Sequence, residues 1–382
     1  MIKLIKNIAK YILNKLQMSN IIVFESNPEF ACNTYPVYKE LERRGFQKKY
    51  KFIWLVEDKR KYKATKELSF MNYVPKNLWE TIQRIYVLKK SRALIYSNRF
   101  LGKHSERQLS LSLSHGTVLK KTGTYQIHNL CDYCVSQTAE LDHIMAEELD
   151  VDREKIVVLG SPRTDALNEK NNCLRDMGFD KYDKCILWMP TFRKHNISQK
   201  VDGEISGLGI PLIYDEEQLS GLNEYLNNKN ILLIIKVHPA QDMSVIKVAQ
   251  KSNIRLLSDS EINAFGYSLY SFMGQVDAYI SDYSSVYYDF LLTSKQIGLV
   301  IDDLDVYIEN RGIIFEDYKA NIKGYYIENL KDLYKYVEEI SEGIDSAKDI
   351  REKARQRFCS YTDFNSTKRV CDFVEEKLSQ LK

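Results

Sequence analysis

Short apolar runs alternate with amphipathic stretches along almost the whole chain. Ile21–Ser26, Lys51–Glu57, Ala93–Ser97, Leu109–Ser114, Tyr133–Ser136 and Lys155–Leu159 form a first series of apolar runs. Each is short and continuously apolar, as strands buried on both faces of a parallel sheet tend to be. A helical stretch from Tyr35 to Arg44, closed by Gly45, separates the first two. After a polar stretch at Asn168–Lys184 a second series begins: Cys185–Met189, Ile231–Val237, Ile254–Leu257, Ala278–Ser281 and Ile297–Ile301. From Asn329 onward the pattern is helical and charged. Two β-α-β series joined by a linker predict an α/β protein with two doubly wound domains, over 19–168 and 169–350, and further helices over 351–382.

The N-terminus follows another rule. At about 100° per residue, Ile2, Ile5, Ile8, Ala9, Ile12, Leu13 and Leu16 share one face, while Lys3, Lys6, Lys10, Asn14 and Gln17 share the other. A basic amphipathic helix of this kind suits the surface of an anionic membrane, or docks on its own domain. No apolar run reaches the roughly 18 to 20 residues of a membrane span, so any membrane contact would be peripheral.

Length and composition change little. The 382 residues suit two domains, and an apolar fraction of 44% with 26 Tyr supports packed cores. A net charge of +3 does not argue for nucleic acid. The seven cysteines read as free thiols of a reducing, cytoplasmic compartment, with no signal-peptide pattern ahead of them. Cys131 and Cys134 form a lone C-x-x-C; without a second pair they read as buried thiols beside a strand rather than a zinc or redox site.

In open parallel sheets, ligands bind beyond the carboxyl ends of the strands. Five strand-end loops carry the candidate chemistry: Ser114-His115-Gly116-Thr117 with Lys120 and Lys121; Gly160-Ser161-Pro162-Arg163-Thr164-Asp165; Pro190-Thr191-Phe192-Arg193; His238-Pro239; and Asp282-Tyr283-Ser284-Ser285. Hydroxyls at a helix start can hold a phosphate, or simply cap the helix. His115, at a strand end before a glycine, can act as a general base, or be a hydrogen-bonded structural residue; His238 carries the same two readings. Arg163 and Arg193 can pair with a diphosphate, or form salt bridges. The joint inventory fits phosphate handling. It is poor in clustered carboxylates, which makes a metal site less natural, and it contains neither a P-loop nor a G-x-G-x-x-G fingerprint.

Taken in order, SHGTVLK, LGSPRTD, MPTFR, KVHP and ISDYSSVYYDFLL resemble the CDP-glycerol glycerophosphotransferases of teichoic acid synthesis, from about Ser114 to Leu292; Asp305-Val306-Tyr307 with Arg311-Gly312, and Tyr361-Thr362-Asp363 with Arg369-Val370, extend the match. The resemblance implies a GT-B fold, with two Rossmann-like domains facing across a cleft and C-terminal helices folding back. It implies transfer of a polyol phosphate from a CDP-linked donor to a hydroxyl of a lipid-linked acceptor, with release of CMP, by a protein held peripherally at the cytoplasmic face of the membrane. Carried over motif by motif, His115 is the base and His238 contacts the donor diphosphate. Ser284 and Ser285 hold a phosphate, and Thr191 and Arg193 lie near the donor phosphates. Asp289 reaches the ribose or polyol, and Gly116, Thr117 and Arg163 serve the acceptor side or positioning. No cofactor and no metal is implied. One departure stands out: the family has Trp before the His-Gly, and this chain has Ser114. Chain length matches single-module members that add one or few units, and the same module serves capsule synthesis. The alternatives are a GT-B glycosyltransferase using a nucleotide sugar, a ribitol-phosphate transferase, and a non-catalytic glycan-assembly module.

Overall fold

A computed structural model describes residues 17–121, 130–194, 201–204, 207–238 and 241–381. The amphipathic helix expected over residues 1–17 therefore lies outside the described residues except at its last position. The chain divides into two compact units. One takes the chain up to Thr117, again up to Asp165, and from Asn365 onward; the other takes the segment from Val118 to Lys121 and then Ala166–Phe364.

The first unit is built on a seven-stranded sheet: β1 (Ser19–Glu25), β2 (Lys51–Val56), β3 (Leu68–Asn72), β4 (Ser91–Tyr96), β5 (Leu109–Ser112), β6 (Tyr133–Ser136) and β7 (Ile156–Val158). Its order is β3-β2-β1-β4-β5-β6-β7, and every pairing is parallel, with Phe24 opposite Trp54 on one side and Ile95 on the other. The order reverses between β1 and β4, so the loops after those two strands diverge and leave a crevice at their carboxyl ends. The second unit repeats the plan with β8 (Lys184–Trp188), β9 (Ile231–Ile235), β10 (Ile254–Leu256), β11 (Ala278–Ser281), β12 (Gln296–Val300) and β13 (Tyr325–Ile327), in the order β10-β9-β8-β11-β12-β13 and again parallel throughout. Its reversal falls between β8 and β11.

Helices cover these sheets with their apolar stripes. In the Leu330–Glu342 helix, Leu333, Tyr336, Val337 and Ile340 are buried at helical spacing, against the same core as Ile231, Leu233 and Ile235 of β9. The last helix, Ser366–Gln380, rejoins the first unit. Its Val370, Cys371, Val374 and Leu378 share a core with Ile22, Phe24, Val37 and Leu41. Asp165 holds the start of that helix, accepting the backbone N–H groups of Ser366 (2.9 Å) and Thr367 (2.7 Å), which suits an anion at a helix N-terminus.

Gly160 makes this docking possible. Its φ is +87°, and a Cβ there would lie 2.2 Å from Ser366 Oγ. Gly160→Ala is expected to cost about 2 kcal/mol of stability, and denaturant unfolding reads the loss directly.

Three features differ from the sequence expectation. The edge strands β3 and β13 are added to the expected set: in β3 Ser69 interrupts the apolar run and four of the five residues are only half-buried, and β13 is three residues long with two of them half-buried. The units divide at Asp165/Ala166 instead of 168/169. The chain returns to the first unit at Asn365, not at 351, because the Lys348–Phe358 helix stays on the second: Phe358 packs edge-on against Tyr288 at 5.2 Å, and Arg351 is buried with its guanidinium on Asp345 (2.8 Å) and the Ser294 carbonyl (3.2 Å).

Candidate active site

In the first unit the candidate groups gather after β1, β4 and β5. His115 is exposed at the tip of a turn in which Ser114 adopts φ +53° and Gly116 φ +143°, conformations that strain side chains and favour glycine. Ser114 is anchored by donating its hydroxyl to the Val135 carbonyl (3.0 Å). Below it, buried Asn33 ties the turn down: its Nδ2 donates to the carbonyls of Leu113 and Ser114 (both 3.1 Å), while its Oδ1 accepts from Ser161 Oγ (2.9 Å) and Arg163 N (3.0 Å). Arg163 is buried and donates Nη1 to the His115 carbonyl at 2.7 Å. It therefore positions the turn and presents no open guanidinium. Thr117 is buried, its hydroxyl donating to Gln137 Oε1 (3.3 Å), and a small polar recess lies between Asn33, Ser114, Gly116, Gln137 and Ser161.

Asn98, two residues past β4, makes the contact that matters most for His115. Its Oδ1 accepts the Asn27 backbone N–H (3.0 Å), which turns its NH2 group toward His115 Nδ1 at 2.7 Å. An Nδ1 that accepts a hydrogen bond belongs to a neutral imidazole with its proton on Nε2. The Cys32 thiol lies 3.5 Å from the same nitrogen. Sequence reading missed Asn98, although the adjacency of β1 and β4 in a doubly wound order points to the loop that carries it.

In the second unit Arg193 is almost fully buried. Its Nη1 donates to Asp282 Oδ2 (2.9 Å) and Thr191 Oγ1 (2.7 Å), its Nε to Asp303 Oδ2 (2.9 Å) and its Nη2 to Asp303 Oδ1 (3.1 Å). Thr191 sends both its backbone N–H and its hydroxyl to Asp282 Oδ2 (2.9 and 2.8 Å). The guanidinium lies 5.4 and 5.5 Å from the Tyr283 and Tyr307 rings, which stack on each other at 4.1 Å, and the Tyr283 hydroxyl donates to Asp303 (2.8 Å). Burial works against the charge on Arg193, and Asp282 and Asp303 more than offset it. Neighbouring Asp302 is pushed up to about 6 by burial and then by the charge of Asp303.

This arrangement corrects two expectations. Arg193 is committed to two carboxylates and is no open diphosphate receptor; it locks the ends of β8, β11 and β12 together. The carboxylates are also clustered after all. They come from the ends of β11 and β12, about twenty positions apart, where sequence spacing conceals them. Among the described residues, no set of three His, Cys, Asp or Glu side chains is arranged to hold a metal ion.

Ser284 and Ser285 are half-buried ahead of the Val286–Leu291 helix. Ser285 makes no side-chain cap, and Ser284 Oγ accepts a long bond from Val286 N (3.3 Å) and lies within reach of the Tyr279 hydroxyl, so ordinary capping does not account for both hydroxyls. Asp289 differs from its expected role: it is fully buried, with Oδ2 accepting the Tyr270 hydroxyl at 2.6 Å, inside the unit and away from solvent. His238 is exposed beyond β9, its ring 5.3 Å from that of Phe192. Cys131 and Cys134 are buried thiols, pushed by burial up to about 11 and about 12.

Two Rossmann-like units, each with hydroxyl, histidine and cationic groups beyond its strand ends, define a GT-B transferase. The family model described as CDP-Glycerol:Poly(glycerophosphate) glycerophosphotransferase matches residues 8–376, and the chain belongs to that family. Among its relatives, the teichoic acid glycerol-phosphate primase of Bacillus subtilis (strain 168) is 23% identical over 92% of this chain and 91% of its own length. The teichoic acid glycerol-phosphate transferase of Staphylococcus aureus (strain NCTC 8325 / PS 47) is 25% identical over 95% of both chains. Among solved structures, that of the wall teichoic acid polymerase TagF superposes with a TM-score of 0.75 at 17% identity, covering 100% of this chain and 98% of that one.

Proposed function

We propose that the protein transfers glycerol phosphate from CDP-glycerol to a hydroxyl of a lipid-linked acceptor in teichoic acid synthesis. The acceptor hydroxyl takes the place at His115 Nδ1 that the Asn98 NH2 group holds in this structure, its oxygen attacks the glycerol-bearing phosphorus, the bond from that phosphorus to the bridging oxygen breaks, CMP leaves, and the hydroxyl proton passes to Nδ1. Phosphoryl transfer of this kind asks a protein mainly for positioning and charge neutralisation. The observation that carries the reading is the His115 turn: an exposed imidazole held neutral by Asn98 and fixed from below by Asn33 and Arg163. In the other unit, Ser284, Ser285 and His238 receive the donor phosphates, while Thr191 and Arg193 hold the loops that carry them. Gly116 and Thr117 shape the acceptor side, and Asp289 supports the serine-bearing helix from within. Labelled glycerol phosphate supplied as CDP-glycerol should move into a membrane-derived acceptor; retention of all label in the soluble donor would refute the proposal.

Asn98 offers a sharper test of the base. Asn98→Asp places an acceptor, and a charge, where the ring now receives a donor, and so favours the imidazolium. The acid limb of the pH–rate profile should rise by about one unit. An unmoved limb would show that the titrating group is not His115.

Peripheral attachment through residues 1–17 belongs to the same proposal, on the strength of their basic amphipathic pattern. Among the described residues no helix is long and apolar enough to cross a membrane. Deleting residues 1–17 should release the protein from anionic vesicles with activity on a soluble acceptor intact; unchanged vesicle binding would remove the anchor.

A further inference from the structure

We infer that Lys120, to which no role has been given above, is the cation of the second unit that receives the phosphate oxygens of the nucleotide donor; this rests on the donor reading just proposed. Lys120 follows the His115 turn in sequence, yet its segment belongs to the second unit. Backbone contacts pin it there: Lys120 bridges to Ile313, Lys121 N donates to the Gly312 carbonyl (3.3 Å), and Ile314 N donates to the Leu119 carbonyl (3.0 Å). Arg311 Nη1 donates to the Lys121 carbonyl at 2.5 Å.

So held, the Lys120 ammonium lies 5.3 Å from the centre of the Tyr307 ring and 5.9 Å from that of Phe192. Those two rings tie it to the groups assigned to the donor. Phe192 packs on His238, and Tyr307 stacks on Tyr283 of the Asp282-Tyr283-Ser284-Ser285 loop. Among the described residues, Lys120 makes no ion pair and no side-chain hydrogen bond; the groups nearest its charge are the two aromatic faces. Arg193, by contrast, is spent on Asp282 and Asp303. Arg311 is spent on the Lys121 carbonyl and lies 3.8 Å from Asp202.

The charged groups around Lys120 are Asp282, Arg311, Arg193 and Asp202. Burial lowers its pKa to about 8, against the pull of Asp282. Lys120 is half-buried; an ammonium partly withdrawn from water and without a hydrogen-bonded acceptor is costly, and an incoming phosphate oxygen would supply one. The remaining possibility on the same contacts is a purely structural one, with Lys120 offsetting Asp282 and Asp202 through space.

Calorimetric titration with CDP and with cytidine separates the two. Lys120→Met keeps the apolar stem and removes the charge. It should weaken CDP binding at least about tenfold and leave cytidine binding unchanged, while Lys120→Arg should restore most of the CDP affinity. Wild-type affinity for CDP should fall as pH rises through about 8, because the ammonium loses its proton there; Lys120→Arg should show no such fall. A Lys120→Met protein that melts earlier but binds CDP as tightly as the wild type would overturn the inference in favour of the structural role. Should Lys120→Met fail to fold, the Lys120→Arg profile decides: a flat one supports the inference, and one parallel to the wild type overturns it. Release of CMP from CDP-glycerol by the wild type is measured alongside. Its absence would sink the donor reading itself, whereas its presence with undiminished CDP binding by Lys120→Met sinks only the role of Lys120.

Discussion

His115→Ala is expected to lower turnover on the order of 10³-fold while leaving the affinity for CDP unchanged. A positioned general base contributes about 10² to 10⁴ in rate. Here its removal also empties the tip of a turn that Asn33, Arg163 and Ser114 hold in place. Because His115 is exposed and none of those supports depends on its imidazole, the variant should fold and melt like the wild type. The supports use backbone carbonyls, which alanine retains. The split between lost rate and retained donor affinity is the signature of a group acting on the acceptor oxygen. Transfer activity within a few-fold of the wild type would dismiss His115 as the base. A parallel loss of CDP affinity would move it to the donor side.

Arg193→Met should have the largest effect on stability. It leaves Asp282 and Asp303 buried, at 0% and 5% exposure, with their principal counter-charge removed. Breaking a buried ion pair by deleting one partner costs about 3 to 5 kcal/mol, and here one guanidinium serves two carboxylates. The second unit should unfold at markedly lower denaturant, and donor binding should go with it, because the same arginine fixes the loops after β8, β11 and β12. Arg193→Lys should fall between the two, since an ammonium keeps the charge but cannot reach both carboxylates with a planar fork. A midpoint within about 1 kcal/mol of the wild type for Arg193→Met would mean that the carboxylates find another partner, and the positioning role would have to be abandoned.

The two examples mark where sequence reading succeeds and where it stops. Continuous apolar runs such as Ile231–Ile235 and Ala278–Ser281 announce buried parallel strands, and doubly wound order then puts His115, Thr191 and Ser284 beyond strand ends without any coordinates. Edge strands escape because one side of them meets no neighbour, as in β3, where Ser69 interrupts the run. Partnerships escape for a different reason. An arginine in a strand-end loop looks alike whether it awaits a diphosphate or is locked onto Asp303, which lies 110 positions away. Asn98 escapes, and Lys120 is seen beside the His115 loop but given no role, because an asparagine or a lysine in a loop is unremarkable until its distances to His115 Nδ1 or to the Phe192 and Tyr307 rings are known. The glycine and aspartate of Leu159-Gly160-Ser161-Pro162-Arg163-Thr164-Asp165 turn out to serve the last helix, accommodating Ser366 and holding its first N–H groups.

The most direct measurement is a donor screen. Purified protein with membrane extract is offered CDP-glycerol, CDP-ribitol and a set of nucleotide sugars, and the nucleotide released is identified. Release of CMP from CDP-glycerol, in step with glycerol phosphate reaching the acceptor and abolished by His115→Ala, is the expected result. Release of UDP or another nucleoside diphosphate from a sugar donor, with CDP-glycerol left intact, would contradict it.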